Sequence, residues 1–392
     1  MLPDDPSTGP RLLLISGTHP DAAHISGLRA ARIAAELASA GYQCVLLCPS
    51  LPNARATGPL NLARDWSTPL VVAAALPDAP AHRFGSLGTM VNILRFGGNR
   101  VDLVRGLRTV GESLVAAFRP QALWCTFGNL ETVVTTKALA RRHGIPWLFD
   151  IKDNVDLYLP RALRPMLALR LRGWAALQAN SRLHADAAKR WLGTRPEIVY
   201  SGVDTAFFER QPANSARPPY VTLVGGLYFP DKVDQFVDGI AAYNRAAPAP
   251  LRIVHLGSQI AMLQRSAARH DGLVPVEGAG YVRPAEMAGI CQGAAANAYI
   301  FHGRTFHHKT FELFACRRPV IAFGGELPET IEQAERLGAN LDRPSDLAGI
   351  VAALEAAIAL PAGPIPTAAD RFFTWPEQAA MVKTAIGSII RS

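Results

Sequence analysis

The sequence predicts an α/β protein built from two doubly wound domains of parallel strands and helices. Three observations lead there. The chain has 392 residues, more than one ordinary core encloses. Short continuous apolar runs alternate along it with helix-period segments, the pattern of βα units laid on a parallel sheet. The alternation breaks at the proline-rich polar stretch 211–219 and then restarts. With 49% hydrophobic and 18% charged residues, the chain has the apolar surface that two cores need.

The first domain is expected over residues 1–210. Strand 11–16 leads through a long loop, closed by Ser26 and Gly27, into helix 28–40 and strand 41–48. This βαβ loop has no G-x-G-x-x-G, which argues against a dinucleotide enzyme. A strand at 71–76 follows. Residues 82–108 mix Arg83, Arg95, Arg100, Arg105 and Arg108 with Phe84, Met90, Leu94 and Phe96. That composition suits a helical hairpin packed on its own domain, or a surface meeting an anionic or lipid-linked acceptor. Helix 101–118, strand 122–126, helix 131–143 and strand 147–150 resume the alternation, with Gly144 as C-cap and Pro146 beyond it. Polar residues just past the carboxyl end of such a strand face the ligand crevice, so Asp150, Lys152 and Asp153 are candidate site residues. Asp153 or Asp156 would otherwise cap the next helix. Helix 160–174, in which arginines alternate with leucines, strand 175–179, helix 182–192 and strand 197–200 complete the series.

The second domain is expected over residues 211–374. Strand 220–224 ends in Gly225 and Gly226, which make a tight turn or let the main chain approach a ligand, and Lys232 opens helix 233–245. Strand 251–256, a helix to 268, strand 273–276, the stretch of Gly278, Gly280 and Tyr281, helix 285–291 and strand 294–300 follow. Residues 301–325 are the most informative. Their loop carries His302, Arg304, His307 and His308, their helix starts at Lys309, and strand 319–323 ends in Gly324 and Gly325. Lys309 and Glu312 are three apart, hence on one helix face near the N-terminus, where free N–H groups and the helix dipole favour an anion. The chemistry suggested is a diphosphate at the helix start, with Glu312 accepting hydrogen bonds from a sugar or ribose. The histidines do not converge in a metal-ligand spacing, so no metal is expected. Ser345 is a candidate N-cap for a helix to 358, and Phe373, Thr374 and Trp375 lead into a last helix, 376–390.

These motifs, in this order, resemble the retaining group 1 (family-four-like) GT-B glycosyltransferases, and the likeness runs over nearly the whole chain. It rests on Lys309 and Glu312 followed by Ala315, Pro319 and Val320, on Gly202, Val203 and Asp204 before Phe207, on Gly225 with Lys232, and on Phe373, Thr374 and Trp375. The resemblance implies the GT-B fold, with two Rossmann-like domains facing across a cleft. The first would take the acceptor, with helix 375–392 packing back on it, and the second the nucleotide-sugar donor. It implies a donor site of Gly27, Gly225, Gly226, Lys232, Gly280, Tyr281, Arg304, Lys309, Thr310 and Glu312. His19, Arg29 and Asp150 would lie on the acceptor side, and Lys152, Asp153 and Glu312 near the reacting atoms. The implied reaction is transfer of a sugar, with retention, to a glycan, lipid-linked or small-molecule acceptor, without cofactor or metal.

The chain departs from that family at three expected site positions. Gly226 stands where many members have arginine, Arg304 where many have the first glutamate of a Glu-x7-Glu pair, and Lys152 where histidine is usual. Two rivals therefore stay open: a sugar-nucleotide epimerase on the same architecture, and a non-catalytic sugar- or nucleotide-binding protein.

The net charge of +8 is placed unevenly, with 23 Lys and Arg against 14 Asp and Glu in residues 1–200 and near balance beyond. A basic half suits an anionic partner, here the surface of an anionic membrane, or is simply a solvated arginine surface. Nucleic acid is not expected, since the aromatic interleaving of single-strand binders and the zinc and helix-turn-helix patterns are all missing. No uncharged apolar run reaches the roughly eighteen residues of a spanning helix. The acidic, proline-bearing start is unlike a signal peptide, and the five scattered cysteines read as buried thiols. The expected location is cytoplasmic, at the inner face of the membrane.

Overall fold

A computed structural model describes residues 9–22, 25–51, 62–75, 87–154, 163–209, 219–303, 306–361 and 373–391. The chain forms two compact units, Met1–Gly202 with Trp375–Ser392, and Val203–Thr374. In the first, β1 (Arg11–Ile15), α1 (Ile25–Ser39), β2 (Gln43–Pro49), β3 (Leu70–Ala74), α2 (Leu87–Phe96), α3 (Val101–Phe118) and β4 (Ala122–Phe127) come first. Then follow α4 (Leu130–His143), β5 (Trp147–Ile151), α5 (Arg164–Leu171), β6 (Ala176–Ala179), α6 (Arg182–Leu192) and β7 (Glu197–Ile198). The strands make one parallel sheet in the order β3-β2-β1-β4-β5-β6-β7. Its central strands are buried along their length, which is why they read as unbroken apolar runs.

The second unit repeats the plan. It holds β8 (Tyr220–Val224), α7 (Pro230–Ala246), β9 (Arg252–Leu256), α8 (Ile260–Ala267), β10 (Val276–Gly278), α9 (Pro284–Gly293) and β11 (Ala296–Ile300). After these come α10 (Lys309–Ala315), β12 (Val320–Phe323), α11 (Pro328–Arg336), β13 (Leu341–Asp342) and α12 (Leu347–Ile358). The parallel sheet runs β10-β9-β8-β11-β12-β13. In both sheets the strand order reverses beside the first strand, between β1 and β4 and between β8 and β11. Ligands of doubly wound sheets bind at the carboxyl ends beside such a reversal, where successive crossovers leave in opposite directions.

The last helix, α13 (Trp375–Arg391), belongs to the first unit. Its Val382, Ile386 and Ile389 join Leu12, Leu14, Ala34 and Trp124 in the core on the α1 face of the sheet. Trp375 packs so tightly on Gly202 that a Cβ there would collide with the Trp375 backbone.

Several boundaries differ from the sequence reading. α1 begins at Ile25, so Ser26 and Gly27 lie in its first turn. The strand expected at 273–276 is β10, Val276–Gly278. Asp346, not Ser345, caps α12, its Oδ1 accepting from the Gly349 amide at 2.8 Å. Residues 87–108 hold α2, a short bend and the start of α3, while Arg83 and Phe84 lie outside the described residues. Helix 160–174 is described only as α5, and Asp156 lies outside the described residues.

Candidate active site

The reversal in the second unit carries two lysines on main-chain carbonyls. Lys309, at the start of α10, donates from Nζ to the Val224 carbonyl at the end of β8 (2.6 Å) and lies 5.5 Å over the Tyr299 ring. It passes over Gly225, whose φ of +94° calls for glycine and where a Cβ would displace the Lys309 ammonium. Lys232, in the first turn of α7, donates to the Phe301 carbonyl just past β11 (2.7 Å) and crosses Gly324, where φ is +89° and a Cβ would come within 2.6 Å of Nζ. Neither ammonium is drawn into an ion pair among the described residues.

Around Lys309 the carboxylates are unusual. Burial pushes Glu312 up to about 8, with Asp204 adding to the rise and Lys309 opposing it. Burial also holds Lys309 down to about 8, against the pull of Glu326 and Glu312. Glu312 Oε1 lies 3.5 Å from His308 Nε2. Glu326 is raised by burial, accepts from the Tyr299 hydroxyl, and accepts from the Leu327 amide at 2.7 Å. Neutral at pH 7, a carboxyl such as Glu312 offers a hydroxyl ligand both a donor and an acceptor.

The start of α10 is not an open anion cradle. The amides of Thr310 and Phe311 donate to the His307 and His308 carbonyls, and the Thr310 hydroxyl donates to His307 as well. Two of the amides at this helix terminus are thus taken within the chain, and positive charge is offered by the lysine side chains. At Gly226 a Cβ would lie 2.6 Å from the Tyr228 ring, so a side chain there would have to displace that ring. Gly280 (φ +68°) and the exposed Tyr281 follow the edge strand β10, two strands from β8. Arg304 lies outside the described residues.

In the first unit the candidates separate into a buried pair and a polar cluster. Arg29 and Asp150 are fully buried and bound to each other, Nε to Oδ2 at 2.9 Å and Nη2 to Oδ1 at 2.7 Å. The guanidinium also donates to the carbonyls of Tyr200 (2.9 Å) and Val199 (3.0 Å). Expected as acceptor-side contacts, the two instead tie α1, β5 and the segment after β7 together, with no surface for a ligand. Gly27 lets α1 sit against the His19 carbonyl, and His19 Nδ1 accepts from the Asp21 amide (3.1 Å).

Past β5, Lys152 donates to Asp153 Oδ1 at 2.9 Å, and Asp153 lies beside Gly128 at the end of β4. His184, buried in the first turn of α6, has Nδ1 at 2.8 Å from Ser181 Oγ and bonded to Asn180. Burial lowers it to about 4, with Asp153 opposing and Lys152 adding. Sequence reasoning passed over His184 and Glu326. The only local signal for Glu326 was its position just past Gly324 and Gly325 at a strand's carboxyl end.

The sequence matches no protein-family profile and no curated protein. Solved structures do resemble it. Sucrose-phosphate synthase from Thermosynechococcus elongatus superimposes with a TM-score of 0.64 at 13% identity, over 97% of this chain and 95% of that one. Anabaena Alr3699/HepE in complex with UDP gives 0.61 at 13%, over 97% of each chain. The chain has the GT-B fold. A third GT-B likeness, the putative UDP-N-acetylglucosamine 2-epimerase from Listeria monocytogenes, gives 0.61 at 10%, over 98% of this chain and 97% of that one. Among the described residues of this GT-B chain no helix is long and apolar enough to cross a membrane, and no group of three His, Cys, Asp or Glu could hold a metal.

Proposed function

We propose that the chain is a glycosyltransferase that moves a sugar from a nucleotide-sugar donor to a glycan, lipid-linked or small-molecule acceptor, with retention and without a metal. The observation that carries this reading is the pair Lys309 and Lys232, set on the carbonyls of Val224 and Phe301 at the sheet reversal of the second unit. Two ammonium groups crossing glycines at strand ends suit a diphosphate, whose charge grows as it leaves the sugar. They also supply the positive charge that a metal would otherwise bring. Glu312, neutral at pH 7, would hold a sugar or ribose hydroxyl. Gly225, Gly280 and Tyr281 would line the nucleotide, while Asp153, Lys152 and His19 of the first unit would serve the acceptor. HepE, a structural neighbour, is seen with UDP and with UDP-glucose, which supports this class of donor.

Assays with UDP-, GDP- and ADP-sugars, with and without sugar acceptors, test the reading. Acceptor-dependent release of the nucleotide, unchanged by EDTA and lost in Glu312→Ala, is the expected result. The epimerase neighbour favours one alternative, and formation of an epimer without acceptor would establish it instead.

A lipid-linked acceptor fits a surface of the first unit. Val91 and Leu94 on α2 and Leu169 on α5 are exposed, and the Arg170 guanidinium joins the two helices by donating to the Leu94 carbonyl. Residues 87–108 and 163–174 contain seven arginines and one acid, Asp102, which is paired with Arg100. Exposed apolar side chains on arginine-rich segments suit an anionic bilayer surface. Sedimentation with phosphatidylglycerol vesicles but not phosphatidylcholine vesicles, reduced by salt and by Leu169→Glu, is the expected behaviour.

A further inference from the structure

The turn after β8 presents two aromatic rings that nothing above employs. Tyr228 is 66% exposed and Phe229 38% exposed, although both side chains are held in place. The Tyr228 ring is laid over Gly226, as the 2.6 Å approach to a Cβ position there shows. Phe229 is the N-cap of α7, its carbonyl accepts from the Lys232 and Val233 amides (3.1 Å each), and Lys232 Nζ lies 5.9 Å over its ring. Both rings pack on the imidazole of His302, Tyr228 edge-on at 5.8 Å and Phe229 tilted at 6.2 Å.

From there a line of rings leads inward. His302 lies 4.5 Å from His307, His307 stacks on Tyr299 at 5.7 Å, and Tyr299 carries Lys309 above it. The exposed pair is thus physically continuous with the lysine site. Among the described residues its ring contacts are with the His302 imidazole and the Lys232 ammonium, and leaving such surface in water is unfavourable.

We propose that Tyr228, Phe229 and His302 form a stacking shelf for the pyranose ring of the donor, a subsite that rests on the nucleotide-sugar reading above. A pyranose has an apolar face of C–H groups with hydroxyls around its rim, which matches an aromatic face edged by a phenol and an imidazole. With the diphosphate between Lys232 and Lys309, the group attached to it lies within reach of the rings that adjoin those lysines. Tyr228 also occupies the space over Gly226, so a side chain at that position would displace the ring.

Isothermal titration of UDP and UDP-glucose, GDP and GDP-mannose, and ADP and ADP-glucose tests this on the wild type, Tyr228→Ala, Phe229→Ala and Tyr228→Phe, with thermal melts to confirm folding. The shelf predicts that each alanine variant binds the sugar nucleotide about tenfold more weakly while the matching nucleoside diphosphate is unaffected, and that Tyr228→Phe retains affinity. Equal losses for both members of a pair would mean that the rings take the base, and no loss would mean that they take nothing; either result overturns the shelf. A wild type that binds none of the six compounds overturns the nucleotide-sugar reading itself, and the shelf with it.

Discussion

Lys309 and Glu312 illustrate how burial rather than pairing sets the chemistry of single residues here. Glu312 in the fold keeps its proton to about pH 8, while the unfolded chain releases it near the ordinary carboxylate value. Between those values the folded state binds more protons, so this contribution to stability is present at acid pH and is lost as pH rises through 8. Lys309 does the reverse, because its folded value of about 8 lies below the ordinary lysine value. Its contribution is present at strongly alkaline pH and is lost as pH falls through 8. Thermal melts from about pH 6.5 to 8, above the ordinary histidine value, should show a fall in stability that Glu312→Gln flattens. At Asp150 the expectation is purely structural. Asp150→Ala strands a buried guanidinium and should cost about 3–5 kcal/mol in denaturant unfolding. Neither effect was legible in the sequence: Arg29 meets a partner 121 positions away, and the environment of Glu312 is built by burial, Asp204 and Lys309.

The elements, by contrast, were largely legible. Continuous apolar runs gave the central strands because both faces of those strands are covered, and Gly225 after β8 and Gly324 and Gly325 after β12 marked real turns with positive φ. What failed was local detail decided by competing contacts, such as Asp346 capping α12 and His307 and His308 already receiving the amides of α10. Two glycines test the element scale. Gly225→Ala should lower the melting temperature, because φ there is +94°, and by displacing Lys309 should also weaken nucleotide binding by about ten- to a hundredfold, the worth of a lost charged hydrogen bond. Gly202→Ala should leave the lysine site alone and destabilise the first unit, since Trp375 and the start of α13 must shift. Denaturant unfolding followed by Trp fluorescence would register that loss.

At the scale of the molecule, two doubly wound sheets with GT-B neighbours at 10–14% identity establish the architecture, while the reaction rests on what sits at the strand ends. The charge asymmetry was visible in composition, but the link between α2 and α5, made by the Arg170 guanidinium on the Leu94 carbonyl, became visible only in the fold. The departures at Gly226 and Lys152 also acquire physical contexts, the Tyr228 ring over one and the Asp153 carboxylate beside the other. The central claim is a nucleotide diphosphate site built on Lys309 and Lys232. Thermal denaturation with increasing UDP, GDP or ADP tests it most directly, because a nucleotide at a hundred times its dissociation constant stabilises the fold by about 2.7 kcal/mol. The melting temperature should climb with the concentration of at least one nucleotide, and the climb should disappear in Lys309→Ala and Lys232→Ala. No climb with any of the three, or a climb that both lysine variants retain, would contradict the account.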